Sequence, residues 1–247
     1  MYSNLHLIYS KQLLEVEGSG QLSKFMKYVT QVDKQFLKWA YQRPFKRTLS
    51  IKAFIFIGDG PFWMIVVLIA ALIGQFLDVV SFEQLANLLM FGLIISNLIF
   101  VQLKTRVTRK RPYANMGLQE DLNLKIENRD PGHGSKELES FPSGHVLWTT
   151  LCVSLICFQY GLIAVLLFAW MIPAMMFLRL YLGVHYPTDT LAGLVLGGIN
   201  VAITLLIAPG LLEFIDALKE YSGFIYGYWV FICIFVMIGF KSWLKRV

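Results

Sequence analysis

Charge is what this chain has little of. Only 15% of its 247 residues are Asp, Glu, Lys or Arg, and 56% are hydrophobic. Mean hydropathy is +0.59. An ordinary soluble domain is about 45–50% apolar, so a large soluble core is disfavoured. Cysteine is scarce as well. Cys152, Cys157 and Cys233 all fall in apolar runs without ligand spacing, and they read as buried structural thiols, not as a disulfide framework or a metal site. No carboxylate–histidine set suggests a divalent metal, so neither metal nor cofactor is expected, nor is a nucleic-acid partner. The alternation of polar and apolar residues that marks strands is absent. The first residues lack the basic, apolar and small-residue order of a cleavable signal. No internal repeat or low-complexity tract is visible.

Long apolar runs are abundant. Six candidates cover residues 61–80, 85–103, 145–160, 162–180, 190–208 and 224–240. A bilayer core needs about 20 such residues in a helix, and in lipid only internally bonded backbone is tolerated. The expected fold is all-α, a polytopic membrane bundle of about six transmembrane helices. The third run is short unless it begins at Ser143. A turn around residues 81–83 joins the first two spans, and Tyr160-Gly161 must turn the chain between the third and fourth. Gly193 and Gly197, four residues apart, suit close helix packing in the fifth.

Residues 1–57 read as an amino-terminal polar and amphipathic segment, and 58–247 as the membrane domain. Residues 1–32 are expected to be mobile or interfacial. Over residues 32–57, Phe36, Leu37, Trp39, Ala40, Tyr41, Phe45 and Leu49 interleave with Lys34, Lys38, Arg43, Lys46 and Arg47. This predicts an amphipathic helix on the membrane surface, the alternative being a helix packed on the rest of the protein. Gly58-Asp59-Gly60 makes a turn into the first span, with Asp59 a candidate cap.

Alternating six spans puts three polar clusters on one membrane face. The first runs from Lys104 to Arg111-Pro112. The second is Pro142-Ser143-Gly144-His145, and the third runs from Arg179 through His185 to Asp189. Lys104, Arg111 and Arg179 are cations at span ends, where charge is costly unless it snorkels or serves a site. Arginine forks match phosphate oxygens two at a time. Ser143 and Gly144 stand where a helix begins, and a helix start offers free amides to an anion. Ser143 is also a candidate cap. Of two histidines, one can attack phosphorus while the other protonates the leaving oxygen. Asp189 can orient His185 if the segment turns back on itself. Arg106 and Arg109 either join the phosphate site or anchor the loop. His133 sits in a glycine-rich loop centre and is not assigned a catalytic part. Each cluster alone has a dull reading: a topology signal, a capped turn or a structural histidine. Three together on one face point to phosphate chemistry.

The three clusters resemble the signature motifs of the type 2 phosphatidic acid phosphatase superfamily, over roughly residues 58–198. That family includes lipid phosphate phosphatases, phosphatidylglycerophosphate and undecaprenyl-diphosphate phosphatases, lipid A phosphatases, glucose-6-phosphatase and vanadium haloperoxidases. The resemblance implies that Lys104, Arg111, Ser143, Gly144 and Arg179 bind phosphate. It implies that His145 acts as acid on the leaving group, that His185 attacks to give a phosphohistidine and that Asp189 supports His185. Leu178 stands where the family often has serine. The expected activity is metal-independent hydrolysis of a lipid phosphomonoester or diphosphate. Phosphatidic acid, phosphatidylglycerophosphate, lipid A and a prenyl diphosphate such as undecaprenyl diphosphate are all open as substrates, and membrane lipids are the other partners. The alternatives are a lipid phosphotransferase and a non-enzymatic membrane transporter or scaffold.

The expected location is a bacterial inner membrane. Every lysine and arginine except Lys219 falls on the motif side, which the positive-inside rule assigns to the cytoplasm. Family members usually work on the other face, so sidedness stays open. Glu120, Asp121, Glu137 and Glu139 in the long polar loop disfavour extra negative charge near the headgroup.

Overall fold

The computed structural model describes residues 20–46, 48–130 and 139–244. The expectations for the first residues, for His133 and Glu137, and for the extreme carboxyl end lie outside these. Among the described residues every regular element is a helix, with no strand and one isolated bridge, Lys110 to Glu139.

The amphipathic stretch forms two helices, not one. Gly20–Tyr41 (α1) ends before Pro44, whose ring cannot continue a helix. Leu49–Gly58 (α2) restarts at Thr48, which caps it by accepting a hydrogen bond from Ile51 N at 3.2 Å. α1 packs on the protein: Leu37 and Ala40 are fully buried. The turn at Asp59 is confirmed as a bend of 72° between α2 and Gly60–Phe76 (α3). Asp59, however, makes no side-chain cap to α3.

Val80–Arg106 (α4) follows. The turn before it lies at residues 77–79, earlier than expected, with Asp78 in the left-handed region at φ 52°. The hairpin is tight, since a Cβ on Gly74 would lie 2.6 Å from Glu83 N. The long polar loop carries a 3-10 turn, Pro112–Ala114, and a short helix, Met116–Leu122 (α5).

Gly144–Phe168 (α6) is interrupted at Gly161, where φ is +67° and ψ −148°. This is the break expected at Tyr160-Gly161, and only glycine takes that conformation without strain. Met171–Tyr181 (α7) returns alongside α6, so that Met175, Leu178 and Leu182 share a buried cluster with Val146. Pro187–Lys219 (α8) and Phe224–Leu244 (α9) complete the bundle. Among the described residues, length and composition give four spanning helices, or five with the bent α2–α3 pair, alongside the shorter apolar α7. The main core joins α3, α4, α6 and α9 through residues such as Trp63, Leu89, Leu151 and Ile232.

Gly193 and Gly197 do bring α8 onto α6. A Cβ at Gly193 would lie 2.7 Å from Ser143 O, and one at Gly197 would lie 2.6 Å from Thr150 Cβ. The cysteines divide: Cys152 is buried, Cys157 is half-buried and Cys233 faces outward on α9. The reading of all three as buried thiols holds only for Cys152, because α9 turns one face away from the bundle.

Candidate active site

Four helix ends meet at one end of the bundle. Lys104 lies in the last turn of α4 and Arg179 in the last turn of α7. His145 lies in the first turn of α6, and Asp189 in the first turn of α8. His185 sits in the tight turn between α7 and α8. Gly183 makes that turn possible: its φ is +72°, and Tyr41 packs against it so closely that a Cβ would fall 1.8 Å from the phenol oxygen.

Hydrogen bonds to the backbone lock the clusters together. Ser143 N donates to Asp189 O at 3.1 Å, joining the second cluster to the third. Arg111 Nη1 donates to Val184 O at 3.3 Å, joining the first to the third. Ser140 N donates to Arg109 O at 2.7 Å.

Arg111 and Arg179 are among the largest fully buried side chains. Arg179 Nη1 donates to Asp130 Oδ2 at 2.7 Å, while its Nε and Nη2 have no protein partner. A fork fixed on one side and open on the other suits an oxyanion with two oxygens to offer. Ser143 stands at the N-cap of α6, but its hydroxyl does not cap the helix and has no partner. The expected cap is therefore absent, and the hydroxyl is buried beside amides that a helix start leaves unsatisfied. Gly144 is pressed against Phe100, whose Cε2 would be 3.0 Å from an added Cβ. Lys104 Nζ donates to Glu139 O at 2.8 Å and lies 5.3 Å from the centre of the Phe100 ring.

His185 is 2% exposed. Burial pushes its imidazole well below its ordinary pKa, and the positive charges of Arg111, Arg179 and Lys104 push the same way, as does His145. The ring is held neutral, which is the nucleophilic form. Asp189 Oδ2 lies 3.7 Å from His185 Nδ1, beyond hydrogen-bond length. Its carboxylate is instead fixed by Tyr186 N at 2.9 Å and by Arg109 at 2.6 Å.

Arg109 anchors the loop. It grips Asp189, Thr188 at 2.7 Å and Asp33 at 2.7 Å, and its guanidinium stacks 3.8 Å over Tyr186. Arg106 is exposed.

Three buried carboxylates at the site were not among the expected site residues, Asp59 having been expected only as a helix cap. Asp33 of α1 holds Arg109 and accepts from Thr188 N at 3.2 Å. Asp130 holds Arg179. Asp59 Oδ1 lies 3.2 Å from His145 Nε2. Asp33 and Asp59 had a signal, as lone acids in a basic helix and at a span edge. Asp130 had only its nearness to Arg129. Among the described residues, no group of three or more His, Cys, Asp or Glu side chains is placed to hold a metal ion.

An apolar groove of about 320 Å³ opens beside this end of the bundle. It runs between α3, α4 and α9, with Pro61, Leu98, Trp148 and Phe235 among its walls. Phe100 and Trp148, with ring centres 5.4 Å apart, stand between groove and site.

The crystal structure of LpxE from Aquifex aeolicus aligns with a TM-score of 0.55 at 19% identity, over 69% of this chain and 93% of that one. The crystal structure of the first transmembrane PAP2 type phosphatidylglycerolphosphate phosphatase from Bacillus subtilis aligns at 0.48 and 17% identity, over 85% of this chain and 98% of that one. No curated protein matches by sequence. The family model of the PAP2 superfamily matches residues 85–213, which is more than half of the sequence and includes all three clusters, and the chain belongs to that superfamily.

Proposed function

We propose that this integral membrane protein is a lipid phosphatase that cleaves a phosphomonoester or diphosphate through a phosphohistidine on His185. In the first step a P–N bond forms to His185 as the P–O bond to the leaving group breaks. His145 gives its proton to the departing oxygen. Water then attacks phosphorus, its proton returns to His145, and inorganic phosphate leaves with His185 restored. Lys104, Arg111, Arg179, Ser143 and the Gly144 amide hold the phosphoryl oxygens while charge builds on them.

The observation that carries the reading is the buried, half-engaged Arg179 beside a His185 kept neutral by burial and neighbouring cations. The two buried Arg179 donors left over from its pairing with Asp130 suit an anionic ligand. The apolar groove supports a lipid over a soluble phosphate, because it offers a tail a place next to the phosphate cage.

The test is phosphate release by detergent-purified protein with excess chelator, across phosphatidic acid, phosphatidylglycerophosphate and prenyl diphosphates. Chelator-resistant release is expected, together with an acid-labile, base-stable phosphoryl-enzyme from labelled substrate. His185→Ala should abolish both. Release that survives this substitution would remove the assignment. Labelled phosphate passing to an added lipid alcohol faster than to water would make the protein a phosphotransferase.

A further inference from the structure

Both histidines of the site face a carboxylate, but the two carboxylates come from different parts of the chain. Asp189 lies within the residues matched by the family model, four residues after His185. Asp59 lies outside them, at the break between α2 and α3. Its backbone is extended, with φ −81° and ψ 148°, and its side chain leaves the N-terminus of α3 uncapped. A carboxylate at a helix start would ordinarily turn to those amides. This one turns to His145, with Oδ1 3.2 Å from Nε2.

The neighbourhood is built around that contact. Gly58 touches the imidazole edge, for a Cβ there would lie 2.6 Å from His145 Cδ2 and 2.8 Å from Met175 Cε. The 72° bend is what delivers the Gly58-Asp59 backbone to the ring. Asp59 and His145 are 9% and 3% exposed, so water screens the pair little. The other charged groups acting on His145 are Arg179 from α7 and Asp130 from the loop.

We propose that Asp59 is the positioning residue for His145, resting on the reading of His145 as the acid for the leaving group. Asp59 faces Nε2–H with its carboxylate. It fixes the tautomer and plane of the ring, and it stabilises the imidazolium whose second proton, on the other ring nitrogen, passes to the departing oxygen. In the hydrolytic step the same nitrogen takes a proton from water. Asp59 therefore matters in proportion to how badly the leaving group needs protonation. An alkyl alkoxide needs it, whereas 4-nitrophenolate leaves without it.

The experiment compares kcat/KM of full-length wild type, Asp59→Asn, Asp59→Glu and His145→Asn on dioctanoyl phosphatidic acid and 4-nitrophenyl phosphate. This parameter covers the steps up to phosphoryl transfer. Asp59→Asn should lose about 100-fold on the alkyl ester, in the range of general acid catalysis, and keep most of its activity on the aryl ester. His145→Asn should show the same selectivity, and Asp59→Glu should recover part of the alkyl rate. Retained aryl activity shows that the variants are folded. If Asp59→Asn loses both substrates equally while His145→Asn remains selective, Asp59 is only a structural anchor and the proposal falls. If His145→Asn itself loses both equally, His145 is not the leaving-group acid, and the reading beneath the proposal falls with it.

Discussion

His185 is the nucleophile in the proposed mechanism, and its surroundings make a prediction about pH. Its folded pKa is depressed, by burial first and then by Arg111, Arg179 and Lys104. The neutral nucleophile should thus persist below the ordinary histidine pKa of about 6.5. After correction for substrate ionisation, the acid limb of kcat/KM should bend well below pH 6.5. Lys104→Met removes one of the cations and should move the bend upward. The same depression has a cost in stability. Below about pH 6.5 the unfolded chain takes up a proton that the folded site refuses, so stability contributed at neutral pH is lost as pH falls. A bend already at pH 6.5 in wild type would contradict the assignment.

Arg179 predicts a second asymmetry. Arg179→Lys keeps a charge but loses the fork, and it should lower kcat/KM by roughly 10- to 100-fold, as expected for loss of a bidentate contact. Asp130→Ala leaves the fork but removes its buried anchor. Breaking one side of such a buried pair costs about 3–5 kcal/mol, and the thermal midpoint should fall along with activity. Equal activity in wild type and Arg179→Lys would show that the fork is not used.

At the scale of helices, the glycine face of α8 sets the position of the site. Gly193 packs against Ser143 O, the carbonyl at the start of α6. Gly193→Ala forces that helix start outward. Overpacking of this kind costs about 1–3 kcal/mol, and here it should also lower kcat because Ser143 and His145 move together. Gly198→Ala has open space around its added Cβ and should leave both melting temperature and turnover unchanged. A comparison of thermal unfolding and turnover in the two variants checks this. The periodicity that exposed the glycine row in the sequence is the helical repeat, which depends on local spacing alone. The break between α1 and α2 was less legible: amphipathic alternation continues across it, although Pro44 and the cap at Thr48 separate the two helices.

For the molecule as a whole, the apolar groove lies next to the proposed phosphate cage, with the Phe100–Trp148 pair between them. Leu98 lines the groove and is 65% exposed. Leu98→Trp should reduce turnover of long-chain substrates about 10-fold, on the basis that tail burial is worth about 0.8 kcal/mol per methylene. It should spare 4-nitrophenyl phosphate. Uniform loss on both substrates would separate the groove from the function. The opposite end of the bundle is tied off: Lys219 pairs with Glu83 and Asp216, each at 2.8 Å.

The sequence by itself determined the helical bundle, the membrane and the three clusters, because these follow from local quantities: run length, hydropathy, residue spacing and turn chemistry. It also placed Lys104, Arg111, Ser143, Gly144, His145, Arg179, His185 and Asp189 at one end, since alternating spans leave no other arrangement. Tertiary structure alone decided which carboxylate serves which group. Asp33 on Arg109, Asp130 on Arg179 and Asp59 on His145 are contacts between segments 49 to 86 residues apart. Such pairings carry no periodic trace in the chain. They arise only when helices pack closely enough that a buried cation or imidazole must find the nearest acid, and here that packing depends on the bend at Asp59, the turn at Gly183 and the glycine face of α8.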